Sequence, residues 1–192
     1  MRQEFALAAQ EATTPRVTVE DMYHTPRDGR KYELIEGEFT MTPAGMKHEA
    51  IGINLAVKLV RYLEKNPLGQ VFGSSAGYRL ADNIVLSPDV SFVRAERLPG
   101  GVAPEGFGEF APDLAVEIIS PGDNITDIER KVQLYLSHGA GLVWVINPRL
   151  ARATVYRPDG SARVLQAQDA LDGETVLPGF TCRLTDLLAG VM

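Results

Sequence analysis

The chain has 192 residues, 45% of them hydrophobic, with a formal net charge of −6 and a pI near 5.1. That length and apolar content fit one domain with a sizeable core, and the acidic balance excludes a general nucleic-acid coat, which would need clustered Lys and Arg. A single cysteine, Cys182, and three scattered histidines exclude an internal disulfide and a Cys/His metal cluster.

The opening "MRQEFALAAQEATTP" lacks a sustained apolar core, and no segment approaches the roughly 20 apolar residues that cross a bilayer. A soluble protein of a reducing cytoplasm is expected, without membrane contact, with residues 1–15 flexible and residues 16–192 forming a single domain. In "TVEDMYHTP" Thr18 reads as an N-cap with Asp21 three residues on, starting a short helix that Pro26 ends. "KYELIEGEFTMTP" predicts a hairpin of Tyr32 to Ile35 and Glu38 to Thr42, with Glu36 and Gly37 at the turn. The segment "KHEAIGINLAVKLVRYLEKN" places Ile51, Leu55, Leu59 and Leu63 at helical spacing, so this helix should cover one face of a sheet.

Three strands are predicted next: Gln70 to Ser74, Gly77 to Ala81, and Ile84 to Val93, the last two joined by an Asp82-Asn83 turn. The loop "RLPGGVAPEGFGEFAP" separates them from the strand "DLAVEIIS". The following helix carries Ile128, Val132, Tyr135 and Leu136 on one stripe, and "LVWVINP" reads as an interior strand. Strand, helix and strand form a βαβ unit, which requires parallel strands and a right-handed crossover. A second hairpin around "RPDGSA" and an irregular end through "LPGF" complete the chain.

Two acids stand out against this frame. In "IVLSPDVSFV" Val90 and Phe92 share one parity, which leaves Asp89 and Ser91 on the other face. An acid directly after Pro88 can be a turn acid held by backbone N–H groups; a second acid on a neighbouring strand would make it half of an ion site. In "DLAVEIIS" Leu114, Val116 and Ile118 share a parity, which leaves Glu117 on the opposite face with Asp113, Ala115 and Ile119. A carboxylate inside such an apolar run is costly unless it is paired, protonated or bound to a cation. Lys131, one turn from Ile128 and one from Tyr135, is the nearest partner by topology, and a structural Glu117–Lys131 ion pair would account for Glu117 alone. It leaves Asp89 unexplained. Two carboxylates and a lysine form a phosphodiester-cutting set: Asp89, Glu117, the Ile118 carbonyl and waters suit the oxygen shell of Mg²⁺, and the lysine orients the attacking water or offsets developing charge.

The ordered motifs "SPDVSFV", "APDLAVEIISP" and "DIERKVQLYLSHGAGLVWVINP" resemble the Uma-two family of putative restriction endonucleases, a branch of the PD-(D/E)xK nuclease-like superfamily. The likeness runs from "YELIEGE" at Tyr32 to "LPGF" at Phe180. It implies an α/β fold, a restriction-endonuclease-like central mixed sheet flanked by helices with hairpins towards both ends. It also implies DNA as substrate, Mg²⁺ or Mn²⁺ as cofactor, and Asp89 and Glu117 as metal-binding acids. The superfamily's usual lysine lies two residues after the second acid, where this chain has Ile119; in the Uma-two branch the following helix supplies it, and the matching residue is Lys131. Glu33 matches a further family position and is either an additional acid of the site or a hairpin acid in solvent. A homodimer is expected by analogy with nucleases that cut two strands.

Other residues read more plainly. His48 lies in line with Ile51 and Leu55, so it could face the sheet and the site, and a packed or capping histidine is the preferred reading, since no second histidine lies at ligand spacing. Lys58, Arg61 and Lys65 form a stripe that could touch phosphates, although a solvated helix face is the commoner reading, and Ser120 has no nearby histidine base to make it a nucleophile. Two functions stay open: a metal-dependent DNA endonuclease, and a catalytically silent binding or assembly module that keeps Glu117 and Lys131 as a structural pair.

Overall fold

A computed structural model describes residues 17–25, 31–41 and 45–191. The segment 1–15, the Pro26 stop and the Thr42 end of the first hairpin lie outside the described residues.

The first elements follow their local chemistry. Helix α1 (Val19–Met22) begins where the Asp21 carboxylate accepts the Thr18 N–H at 2.8 Å, and its Val19 and Met22 pack on Leu34 and Val85. Strands β1 (Tyr32–Ile35) and β2 (Glu38–Met41) form the expected hairpin, and the turn holds both Glu36 (φ 52°) and Gly37 (φ 88°) in the left-handed region. Positive φ at two successive positions is what a tight two-residue hairpin demands, so the glycine is required there.

Helix α2 (Met46–Leu63) is followed by β3 (Gly69–Gly73), β4 (Tyr78–Ala81), β5 (Ile84–Leu86), β6 (Val90–Arg94) and β7 (Leu114–Ile118). Then come α3 (Ile125–Ser137), capped by Asn124 accepting the Thr126 N–H at 3.0 Å, and β8 (Leu142–Asn147). Strands β9 (Arg152–Tyr156), β10 (Ala162–Leu165), β11 (Ala170–Asp172) and β12 (Thr181–Arg183) lead to α4 (Leu184–Leu188).

Six strands make one mixed sheet in the order β10-β9-β8-β7-β6-β3, and four make a second, β2-β1-β5-β4. Within the larger sheet β7 and β8 run parallel, as the βαβ reading requires, while the other neighbours are antiparallel. Period two then sorts β7 between the layers. Leu114, Val116 and Ile118 pack with Ile51, Leu55 and Leu59 of α2 and with Leu184 and Leu187 of α4; Ala115 packs with Ile128, Val132 and Tyr135 of α3. Helices therefore cover both faces, as expected, and each fully buried leucine contributes about 1.5–3 kcal/mol to that packing. Glu117 has the parity of Ala115, so it points at α3.

The predicted strand Ile84 to Val93 is two strands. β5 belongs to the smaller sheet and β6 to the larger, and Ser87, Pro88 and Asp89 carry the chain between them. The cause is local: Pro88 has no N–H to give a ladder, the Ser87 N–H goes to Glu33 Oε1 at 2.7 Å, and the Asp89 N–H goes to the Val116 carbonyl at 2.9 Å. The end of the chain is also more regular than predicted, since β11 and β12 pair across Leu171 and Cys182. Among the described residues no helix is long and apolar enough to cross a membrane.

Candidate active site

The switch between the sheets brings the acids together. Asp89 leaves the bend beside the end of β7, where its Oδ2 accepts the Ile118 N–H at 2.8 Å. Glu117 projects from β7 onto α3 and meets two donors one helical turn apart: Lys131 Nζ at 2.8 Å from Oε2, and the Tyr135 hydroxyl donating to Oε1 at 2.8 Å. Glu33 arrives from β1, and its Oε2 lies 3.0 Å from Lys131 Nζ while Oε1 takes the Ser87 N–H. Lys131 is thus clamped between two carboxylates, all three side chains being buried.

Two further side chains close the site around Asp89. Lys31, just before β1, places Nζ 3.2 Å from Asp89 Oδ1, and His48, in the first turn of α2, places Nε2 2.9 Å from Oδ2. An ionised carboxylate only accepts, so His48 carries its proton on Nε2 when Asp89 is charged. Its other nitrogen, Nδ1, is buried without a hydrogen-bond partner.

These contacts set the charges. Burial pushes the Asp89 carboxyl up, but the His48 hydrogen bond, the Lys31 charge, the His48 charge and the Ile118 N–H outweigh it and hold the group at about 2. Burial dominates at Glu117; with the charges of Asp89 and Glu33 it overcomes the pull of Lys131 and raises the carboxyl to about 7. Lys131 would lose its proton more easily through burial alone, yet Glu117 and Glu33 raise it well above the usual lysine range, so it stays cationic. Burial also lowers His48, and Asp89 more than reverses that. Burial, helped by Glu117 and Glu33, keeps the Tyr135 hydroxyl protonated and available as a donor.

Asp89, Glu117, Lys131 and Glu33 therefore lie together, although period two along one strand is not what aims Asp89. Glu33 is buried beside Lys131 and is not a hairpin acid in solvent. His48 is packed and faces the site, where the start of α2 abuts the bend and makes it a direct partner of Asp89. Lys31 and the polar use of Tyr135 were missed; the first carries no pattern, and the second reads as an apolar stripe residue. Lys58 and Arg61, in the C-terminal half of α2, line a surface cavity with Arg183 and Asp186, and Asp89, Glu117 and Glu33 are not among its lining residues. Ser120 is part of a turn in which its N–H goes to Asp123.

Among the described residues no group of three or more His, Cys, Asp or Glu side chains is placed to hold a metal by itself. Two carboxylates and a main-chain oxygen are a different donor set, and the Ile118 carbonyl lies on the same side of β7 as its N–H, which reaches Asp89, by the alternation of the strand. Hard oxygen donors of this kind suit Mg²⁺ or Mn²⁺ completed by water, so the residues present fit such an ion.

A mixed sheet flanked by helices, with acids at the ends of its central strands, makes this an α/β protein. Five chains of solved structures match it. The crystal structure of a putative nuclease belonging to DUF820 from Anabaena variabilis ATCC 29413 is similar with a TM-score of 0.81 and 24% sequence identity, over 92% of this chain and 99% of that one. No curated protein matches the chain. The family model Uma2, described as putative restriction endonuclease, matches residues 19–185, and the chain belongs to that family.

Proposed function

We propose that this protein is a divalent-metal-dependent endonuclease that hydrolyses DNA phosphodiester bonds, with residues 16–192 working as one domain. The observation that carries the reading is the convergence of Asp89, Glu117, Glu33 and Lys131 from a bend, two strands and a helix onto one place. An ion pair alone would not need Asp89.

Asp89, Glu117 and the Ile118 carbonyl are the groups that would hold Mg²⁺ or Mn²⁺. When bound, such an ion supplies charge that polarises the scissile phosphate and acidifies a water. The chain's own residues do the rest. Tyr135 fixes the rotamer of Glu117 through one oxygen and leaves that atom a lone pair. Lys131, held by Glu33 and Glu117, presents an ammonium that orients the attacking water or offsets charge on the phosphate. Glu33, anchored by the Ser87 N–H, keeps the lysine aimed and serves as the additional acid.

A second reading has its own support: the Glu117 oxygens are both occupied by donors from α3, as in a silent module with a structural ion pair. Metal-dependent cleavage separates the two. Wild-type protein in Mn²⁺ or Mg²⁺ is expected to cut supercoiled or linear DNA, and Asp89→Asn to lose that activity. Mn²⁺ at 100 times its dissociation constant should stabilise the fold by about 2.7 kcal/mol, and Glu117→Gln should lose most of this. Equal stabilisation of wild type and variant, with no cleavage by either, would leave the silent module standing.

A further inference from the structure

We propose that Lys31 is the residue that takes a DNA phosphate, and that Asp89 stores its ammonium group until a divalent ion claims the carboxylate. This rests on the reading of Asp89 as a metal ligand.

The two lysines of the site are held in opposite ways. Lys131 is 9% exposed and has carboxylates at 2.8 and 3.0 Å, so moving it would strand both Glu33 and Glu117. Lys31 is 22% exposed and pairs with Asp89, itself 9% exposed, at 3.2 Å. It is the more open of the two and gives onto solvent from the Asp89 side. The occupancy of Asp89 adds a second constraint. Oδ2 already accepts the Ile118 N–H and faces His48, so Oδ1, the atom that Lys31 holds, is the one with room for an ion. An ion there and an ammonium at the same oxygen repel each other. Lysine is a point charge on a flexible four-carbon stem, well suited to phosphate. Displaced from Oδ1, its ammonium can turn towards solvent, where it would meet a DNA phosphate approaching the ion. Storage and release thus make phosphate capture follow metal binding.

The proposal makes opposite predictions for two ligands. Lys31→Met and Lys31→Gln each remove a cation that competes at Oδ1, so Mn²⁺ binding measured by calorimetry should tighten by about fivefold or more. The same variants should bind a short labelled DNA duplex about tenfold more weakly in Ca²⁺, with the slope of log Kobs against log salt shallower by about 0.9. In chelator, where Asp89 keeps the ammonium, they should bind DNA as the wild type does. Lys31→Arg should restore DNA affinity in Ca²⁺. If the wild type binds Mn²⁺ but Lys31→Met and Lys31→Gln weaken that binding, or leave DNA affinity and salt slope in Ca²⁺ unchanged, the role of Lys31 is overturned while the nuclease reading survives. If the wild type takes up no Mn²⁺ at all, both fall together.

Discussion

Lys131 answers to two carboxylates at once, and its removal is the sharpest test at the scale of single residues. A methionine keeps the apolar stem but leaves Glu33 and Glu117 facing each other in a buried space. Breaking such an arrangement costs on the order of 3–5 kcal/mol, so Lys131→Met should show a loss of that size by urea denaturation in chelator, partly recovered when Glu33→Gln is added. Glu117 makes a pH prediction with a definite sign. Its carboxyl lies at about 7 in the fold against an ordinary 4.5, so the native state binds the extra proton. Its contribution to stability is complete below the ordinary value and is lost as pH rises through about 7. Asp89, held at about 2 against 3.8, works the other way: its contribution is present above the ordinary value and is lost as pH falls through about 2. In chelator, the melting temperature of the wild type should therefore fall more between about pH 5 and pH 8 than that of Glu117→Gln; parallel curves would place the buried proton elsewhere. The legible residues were those that broke a pattern: Glu117 interrupts an apolar run, and Lys131 sits at the border of a helical stripe. Lys31 and His48 break none, and they reach Asp89 across 58 and 41 residues of chain. Only the packing of the segment before β1 and the start of α2 against the bend supplies those contacts.

Among the elements, α2 contains a glycine that its packing does not need. A Cβ at Gly52 would sit 3.6 Å from Ile118 Cδ1 and 3.7 Å from Val90 Cγ2, ordinary contact distances, and the residue lies inside a helix. Since glycine costs a helix interior about 1 kcal/mol relative to alanine, Gly52→Ala should stabilise the protein by roughly 0.5–1 kcal/mol, read as a higher urea midpoint at unchanged slope. Gly69 is the opposite case. Its added Cβ would press on the Val93 carbonyl and lie 2.8 Å from Arg94 Cα, both backbone atoms of the neighbouring strand. Gly69→Ala should then cost about 1–3 kcal/mol or open the β3 edge. The same contrast explains which elements could be read from sequence. Helices α2 and α3 declare themselves by apolar periodicity, and β7 and β8 by unbroken runs around a helix. The β5–β6 break was hidden because the apolar pattern runs on through it, while the proline that stops the ladder sits inside. Strands β11 and β12 have three residues each, too few for any period to show.

At the scale of the whole molecule the acidic balance becomes a constraint on how the proposed DNA substrate can be held. A net charge of −6 repels a polyanion at long range, so under the proposed function attraction comes from a few cations at the site and from the ion that Asp89 and Glu117 would hold. Lys131 is buried and committed to two carboxylates, and the chain order that builds the site spends its local positive charge on balancing acids. The phosphate footprint should therefore be small. For a protein that neutralises six to ten phosphates the slope of log Kobs against log salt is about −5 to −9, whereas two phosphates give about −2. Titration of a labelled duplex in Ca²⁺ over a range of salt should return a slope no steeper than about −3 by the same relation. The long-range repulsion adds a second signature: between acidic partners, screening helps the approach, so association rates should rise or stay level as salt increases from low values, where a basic nuclease would slow. A steep negative slope together with salt-inhibited association would mean that DNA meets an extended basic surface, and that the acid cluster is not where it is chiefly held.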